Sequence, residues 1–191
     1  MNPTDDGGTV PFDDGLTDTI IGLDENGRPY PIGKLDAHRV STRHLAVSVF
    51  LMQGEKLLLQ RRAAGKYHAP LLWANTACSH PLWGEAPEAC AERTLRRELG
   101  FTVSIRQFAV THYEARVGAL FENETVHCYR GELDPGFVPP APDGNEVDAL
   151  RWSTFDELKT EVASAPDLYA PWFRIYVQSG IVDRLVSSAI Y

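Results

Sequence analysis

Apolar positions along this chain come mostly in short runs bounded by polar turns, the pattern of buried strands, and only a few stretches carry helical spacing. Residues 18–23 and 28–32 flank Asp24-Glu25-Asn26-Gly27, where the Asn-Gly pair favours a hairpin. Residues 34–41 read as a short polar connection. The runs 44–52 (HLAVSVFLM) and 56–60 (KLLLQ), joined by Gln53-Gly54-Glu55, predict two buried antiparallel strands. A loop over 61–72 carries Arg61, Arg62, Lys66, Tyr67 and His68, and 73–80 reads as an extended segment. Pro87 suits the first position of a helix that runs to Leu99 and stops at Gly100, with Ala91, Leu95 and Leu99 on one apolar stripe. Downstream, 101–116 and 120–133 predict long strands, 134–145 an exposed Pro/Gly/Asp-rich loop, and 149–153 another strand. Residues 154–161 predict a short helix with Thr154 at its cap, and 172–189 an amphipathic C-terminal helix after Pro171. The expectation is an α/β sandwich with mixed and antiparallel strands, one domain over 18–191, behind a flexible acidic tail over 1–17.

The 191 residues suffice for one core of ordinary size, and 43% hydrophobic with 23% charged residues is usual for a globular protein. A formal net charge of −8 argues against non-specific nucleic-acid binding, which needs Lys and Arg against phosphate. A small anionic ligand remains compatible, because a few local cations can hold a phosphate. No apolar run approaches the roughly 20 residues that span a bilayer, and the first residues lack the basic start and apolar core of a signal peptide, so a cytoplasmic location is expected. In a reducing compartment Cys78, Cys90 and Cys128 stay thiols. Cys90 and Cys128 read as small buried hydrophobes, whereas the Asn75-Thr76-Ala77-Cys78-Ser79-His80-Pro81 run sets Cys78 apart.

Glu122 and Glu124 lie two residues apart on a predicted strand and so share a face. Two carboxylates on one face repel unless a cation or a shared proton relieves them, which makes metal binding the natural functional alternative to a plain solvated face. With His38, His44 and His80 they form an N3O2 set suited to Mn, Zn or Fe. The predicted helix resembles a Nudix box, G-x5-E-x7-R-E-U-x-E-E-x-G-U. Aligned on Gly100 it supplies Ser79, Glu85, Arg93, Thr94, Leu95, Arg97, Glu98 and Phe101, so Thr94 and Arg97 stand where metal-binding carboxylates belong.

Several stretches in order resemble the type I isopentenyl-diphosphate isomerases, Nudix-fold enzymes of isoprenoid synthesis. They are Gly33 to His38, Thr42 to Ala46, Gln60-Arg61-Arg62-Ala63 with Lys66, Trp73 to Pro81, Arg97-Glu98-Leu99-Gly100, Glu122-Asn123-Glu124 and Pro171-Trp172. The resemblance implies a Nudix-type α/β/α sandwich and interconversion of isopentenyl and dimethylallyl diphosphate through a tertiary carbocation. It implies Cys78 and Glu124 as the catalytic pair, Tyr113 beside Glu124, and Trp172 as an aromatic wall over the carbon skeleton. His38, His44, His80, Glu122 and Glu124 match ligands of a Mn2+ or Zn2+, Glu98 a residue holding the Mg2+ that comes with the diphosphate, and Lys34, Arg62 and Lys66 diphosphate contacts. Thr94 departs from the family by replacing a basic residue associated with diphosphate binding in some members, and Arg93, Arg96 or Arg43 are candidates to compensate. The implied partner is a small prenyl diphosphate, with no nucleic acid or membrane, and the protein a monomer or weak homodimer. The rival readings are action on another prenyl diphosphate, a Nudix diphosphate hydrolase, and a non-enzymatic ligand-sensing Nudix module. The loss of box carboxylates at 94 and 97 weakens the hydrolase, and the intact Cys78 and His/Glu set weakens the sensor.

Overall fold

A computed structural model of the chain describes residues 17–187, so the tail expected over 1–17 lies, apart from Thr17, outside the described residues, as does the end of the C-terminal segment. In chain order the elements are β1 (Thr19–Leu23), β2 (Pro29–Gly33), α1 (Lys34–Arg39), β3 (His44–Gln53), β4 (Lys56–Arg62), β5 (Trp73–Ala74), β6 (Ala77–Ser79) and α2 (Pro87–Leu99). Then follow β7 (Ile105–Val117), β8 (Leu120–Glu132), β9 (Val147–Thr154), α3 (Phe155–Ser164), α4 (Pro171–Gln178) and α5 (Asp183–Ser187).

The strands join in one mixed nine-stranded sheet with a core on each face. On one face α2 buries Cys90, Ala91, Leu95 and Leu99 against Val47, Val49 and Leu51 of β3. On the other, Leu158 and Val162 of α3 and Trp172, Phe173, Tyr176 and Val177 of α4 cover Phe50, Leu57, Leu59 and Val126. Helices on both faces of a central sheet give the expected α/β/α layering. Thr154 accepts from the Glu157 amide while the Glu157 carboxylate accepts from the Thr154 amide, a reciprocal cap for α3.

Four local expectations need correction. The connection over 34–41 contains the helix α1, whose Ala37 and His38 are fully buried, so burial of one face organises a segment with little pattern of its own. The extended segment 73–80 is two short strands, β5 and β6, and the strand expected from Phe101 begins only at Ile105. The C-terminal helix is two, because Gly180 takes φ +77 after α4 and the chain turns before Asp183 starts α5.

β3 and β4 pair only beside their turn, at Met52–Leu57 and Gln53–Lys56, and then part. The segment 73–79 enters the fork, with β5 pairing to β4 through Gln60 and Arg61 and β6 to β3 through Val47, Ser48 and Val49. At the crotch, Thr76 Oγ1 accepts from the Leu51 amide at 2.9 Å and donates to the Leu58 carbonyl at 2.6 Å. Asn75 Nδ2 donates to the carbonyls of Val49 (3.2 Å) and Ala77 (2.8 Å). These two side chains, both fully buried, replace the ladder that the parted strands cannot make. Thr76→Val keeps the shape but strands the Leu51 amide and the Leu58 carbonyl, and is expected to lower unfolding free energy by about 1–3 kcal/mol in denaturant titration.

Candidate active site

Sheet register builds the centre of the site. β3 runs parallel to β8 with His44 opposite Glu124, and β8 runs antiparallel to β7 with Glu124 opposite Tyr113, so three strands put His44, Glu124 and Tyr113 in one row. α1 delivers His38, and the residue after β6 is His80. The ring centres of His38, His44 and His80 lie 4.8–5.0 Å from one another. One ligating atom from each of these histidines and from Glu124 falls within 4.8 Å of all the others.

The hydrogen bonds fix the histidine tautomers. His38 Nδ1 donates to the Lys34 carbonyl and His44 Nδ1 to the Thr42 carbonyl, each at 2.7 Å. With the rings neutral, both Nε2 atoms carry a lone pair, and both are buried without a hydrogen-bond partner. A backbone carbonyl on one ring nitrogen with the other held bare in a polar cluster is the arrangement of a metal-binding imidazole. His80 Nε2 stands 2.9 Å and His44 Nε2 3.6 Å from Glu124 Oε1. Burial lowers the pKa of His38 and pushes that of His80 well down, which favours the neutral ligand form, whereas at His44 the Glu124 carboxylate outweighs burial and raises it. Burial opposes charge on Glu124 too, but the hydrogen bond from His80 and the nearby His44 ring outweigh it and hold the carboxylate ionised. The cluster suits a divalent metal.

Glu122 shares the face of Glu124 but turns elsewhere, its Oε1 3.0 Å from His68 Nε2. The Tyr113 hydroxyl lies 2.6 Å from Glu122 Oε2 and 2.8 Å from Glu124 Oε2. It has one proton for two carboxylates, so it serves them one at a time.

A cleft opens over this row. Cys78, Tyr113, Glu122, Glu124 and Trp172 line it, together with Lys34, Arg62, Lys66, Arg97 and Glu98. Burial pushes the Cys78 thiol up to about 12, so it rests protonated. Trp172 is buried in the wall, with the Arg62 guanidinium 5.2 Å from its ring centre. Glu98 accepts from Gln60 Nε2 at 3.2 Å, and burial with the nearby Glu146 carboxylate raises its pKa. Lys66 Nζ meets Glu146 at 2.5 Å.

The candidates to compensate for Thr94 are placed otherwise. Arg93 is bidentate to Glu85 at 2.7 Å, Arg43 donates to Thr125, and Arg96 is exposed and does not line the cleft. Thr94 itself is fully buried and donates to the Cys90 carbonyl. Sequence reading gave no role to His68, Gln60 or Glu146. The nearness of His68 to Lys66 in one loop hinted at the first, and Gln60 opens the Gln60-Arg61-Arg62-Ala63 stretch, but nothing local marked Glu146.

The NUDIX domain family matches residues 42–173. A Cereibacter sphaeroides protein named isopentenyl-diphosphate Delta-isomerase is 50% identical, over 80% of this chain and 86% of its own length. The chain belongs to the Nudix isopentenyl-diphosphate Delta-isomerase family. A Rhodobacter capsulatus protein of the same name is 43% identical, over 78% of this chain and 85% of its own. Among solved structures, a Deinococcus radiodurans protein, DR0079, aligns with a TM-score of 0.70 at 19% identity, over 84% of this chain and 97% of that one. At that identity it supports the Nudix fold alone. No helix among the described residues of this isomerase-family chain is long and apolar enough to cross a membrane.

Elemental analysis of the purified protein is expected to find a first-row transition metal, and His44→Ala, which removes one of the two bare nitrogens, is expected to lose most of it. An unchanged metal content in that variant would show that these imidazoles do not share an ion.

Proposed function

We propose that this chain interconverts isopentenyl and dimethylallyl diphosphate, with Cys78 and Glu124 as the proton-transfer pair. The observation that carries the reading is that one cleft contains both a filled and an empty proton site and, in addition, a group of cations. Isopentenyl diphosphate has an unactivated alkene. A proton must reach its terminal methylene carbon, giving a tertiary carbocation, and another must leave the neighbouring CH2. The C=C bond is consumed at one position and formed at the next, with no redox change and no bond to phosphorus broken. The reaction runs both ways, so each group of the pair gives in one direction and takes in the other. Cys78 rests as a thiol and Glu124 as a carboxylate, and the Tyr113 hydroxyl touches Glu124, where it can carry a proton to or from that carboxylate.

Lys34, Arg62 and Lys66 supply charge for the diphosphate. Trp172 gives the carbon skeleton an aromatic wall, and its quadrupole is worth ~2 kcal/mol toward a desolvated cation. His38, His44, His80 and Glu124 would hold a Mn2+ or Zn2+, with Glu122 beside them on the Tyr113 hydroxyl, and Glu98 a Mg2+ arriving with the diphosphate. When bound, the first ion would fix the orientation and proton affinity of Glu124, and the second would offset phosphate charge.

In deuterated water with Mg2+, isopentenyl diphosphate is expected to become dimethylallyl diphosphate with deuterium entering at carbon. Release of phosphate or pyrophosphate with no isomer formed would move the protein to the hydrolases. Cys78→Ala is expected to lose ~10²–10⁴ in rate with its metal content intact, and Glu124→Gln to lose turnover together with some metal. Cys90→Ala and Cys128→Ala remove thiols buried in the two cores, and near-normal rates are expected from both. Wild-type turnover in Cys78→Ala would refute the assignment of the pair while leaving the fold untouched.

A further inference from the structure

Arg97 is a cation of the cleft that the proposed function leaves without a task. Its position in the Nudix box belongs to a carboxylate, so the chain has reversed a charge there. It lies on the last turn of α2 next to Glu98, lines the cleft, and leaves 37% of its side chain exposed. Its contacts are loose, with Nε 3.3 Å from Glu146 Oε1 and Nη2 3.5 Å from Glu98 Oε1.

Both of those carboxylates have another polar partner. Glu146 Oε2 is held by Lys66 Nζ at 2.5 Å, and Glu98 Oε2 accepts from Gln60. Neutralising a buried acid therefore does not account for Arg97 fully, and a guanidinium with five donors retains capacity for an incoming anion. Thr94, one turn earlier on the same helix, is sealed in the core with its hydroxyl on the Cys90 carbonyl, so that position offers the anion nothing. Arg97 does face the cleft, together with Lys34, Arg62 and Lys66.

We propose that Arg97 is a further diphosphate-binding residue, held ready at the cleft by Glu146 and replacing with a fixed charge what position 94 does not supply. The proposal rests on the function above. Guanidinium suits the task, since its planar fork matches two phosphate oxygens and it stays charged at any working pH. Binding would exchange two loose ion pairs for short charge-assisted hydrogen bonds, and Lys66 would remain to balance Glu146.

The test compares the wild type with Arg97→Gln, Arg97→Lys and, as a control on the same helix, the exposed Arg96→Gln. Each full-length protein is assayed for isomerisation, for inhibition by inorganic pyrophosphate, and for pyrophosphate binding by calorimetry in fixed Mg2+. Arg97→Gln is expected to raise the KM for isopentenyl diphosphate and the pyrophosphate Kd together, by about 10–100-fold, the worth of one or two charge-assisted hydrogen bonds. Its kcat should change by less than about threefold, since the lost contact serves ground and transition states alike. Arg97→Lys should recover part of the loss, and Arg96→Gln should match the wild type. If the wild type isomerises while Arg97→Gln leaves KM and Kd unchanged, or lowers kcat alone, the proposal is overturned and the proposed function stands. If the wild type does not isomerise, the calorimetry still decides, because pyrophosphate binding weakened by Arg97→Gln supports the contact and unweakened binding overturns it.

Discussion

The site depends on a sheet that is forced open. β3 and β4 begin as a hairpin and then part, and two buried polar side chains, Asn75 and Thr76, hold them apart by supplying the hydrogen bonds the missing ladder would have made. A fork without such pegs would leave buried amides and carbonyls unpaired, at about 1–3 kcal/mol each. With the pegs in place the next residues of the segment pair with β3, and Ser48 comes to lie between Cys78 on one side and Cys128 on the other. His80 follows two residues after Cys78. Asn75 and Thr76 thus shape the fork, and Cys78 and His80 beside them take up the chemistry.

Charge in the cleft is arranged so that no buried ion stands alone. Glu122 and Glu124 sit on one strand face at a separation that repulsion would oppose, and Tyr113, His68, His44 and His80 take up their oxygens. A second pair of buried acids, Glu98 and Glu146, is set among Gln60, Lys66 and Arg97. Isolated buried ions cost several kcal/mol, and removing one partner leaves that cost exposed. Before substrate arrives the cations therefore need internal counter-ions, and Glu146 serves two of them.

The sequence made legible whatever is periodic or local. The hairpin at Asn26-Gly27, the helix from Pro87 to Leu99, the cap at Thr154 and the shared face of Glu122 and Glu124 all follow from spacing over a few residues. What escaped depends on contacts far apart in the chain. Glu146 meets Lys66 across 80 positions, from just past the stretch 134–145 that reads as an exposed loop. α1 is too short for a periodic signal and owes its form to the burial of Ala37 and His38. The break after α4 rested on one glycine, which a helix tolerates often enough that Gly180 carried no warning. Of the residues chosen by resemblance, His38 and His44 cluster with His80 and Glu124 while the others line the cleft, and the four-ligand cluster excludes Glu122, which is turned toward His68.

The fate of the Nudix box explains how one helix can keep its frame while its chemistry changes. Glu85 and Arg93 retain their box positions and form a bidentate pair, and Arg93 Nη2 also donates to the His80 carbonyl at 3.3 Å. That half of the motif ties α2 to the loop bearing a cluster histidine, so it is useful whatever reaction the cleft performs. The other half gathers metal in hydrolases through carboxylates. A carboxylate at position 94 would enter a fully buried site beside Cys90, where its charge would need a partner, and the threonine there instead satisfies itself on its own helix. At position 97 the side chain faces the cleft, and there the charge is inverted rather than removed. Two carboxylates that would gather metal for hydrolysis are thereby absent, while a cation still faces the cleft. That combination suits the proposed reaction, in which a diphosphate is held and not cut.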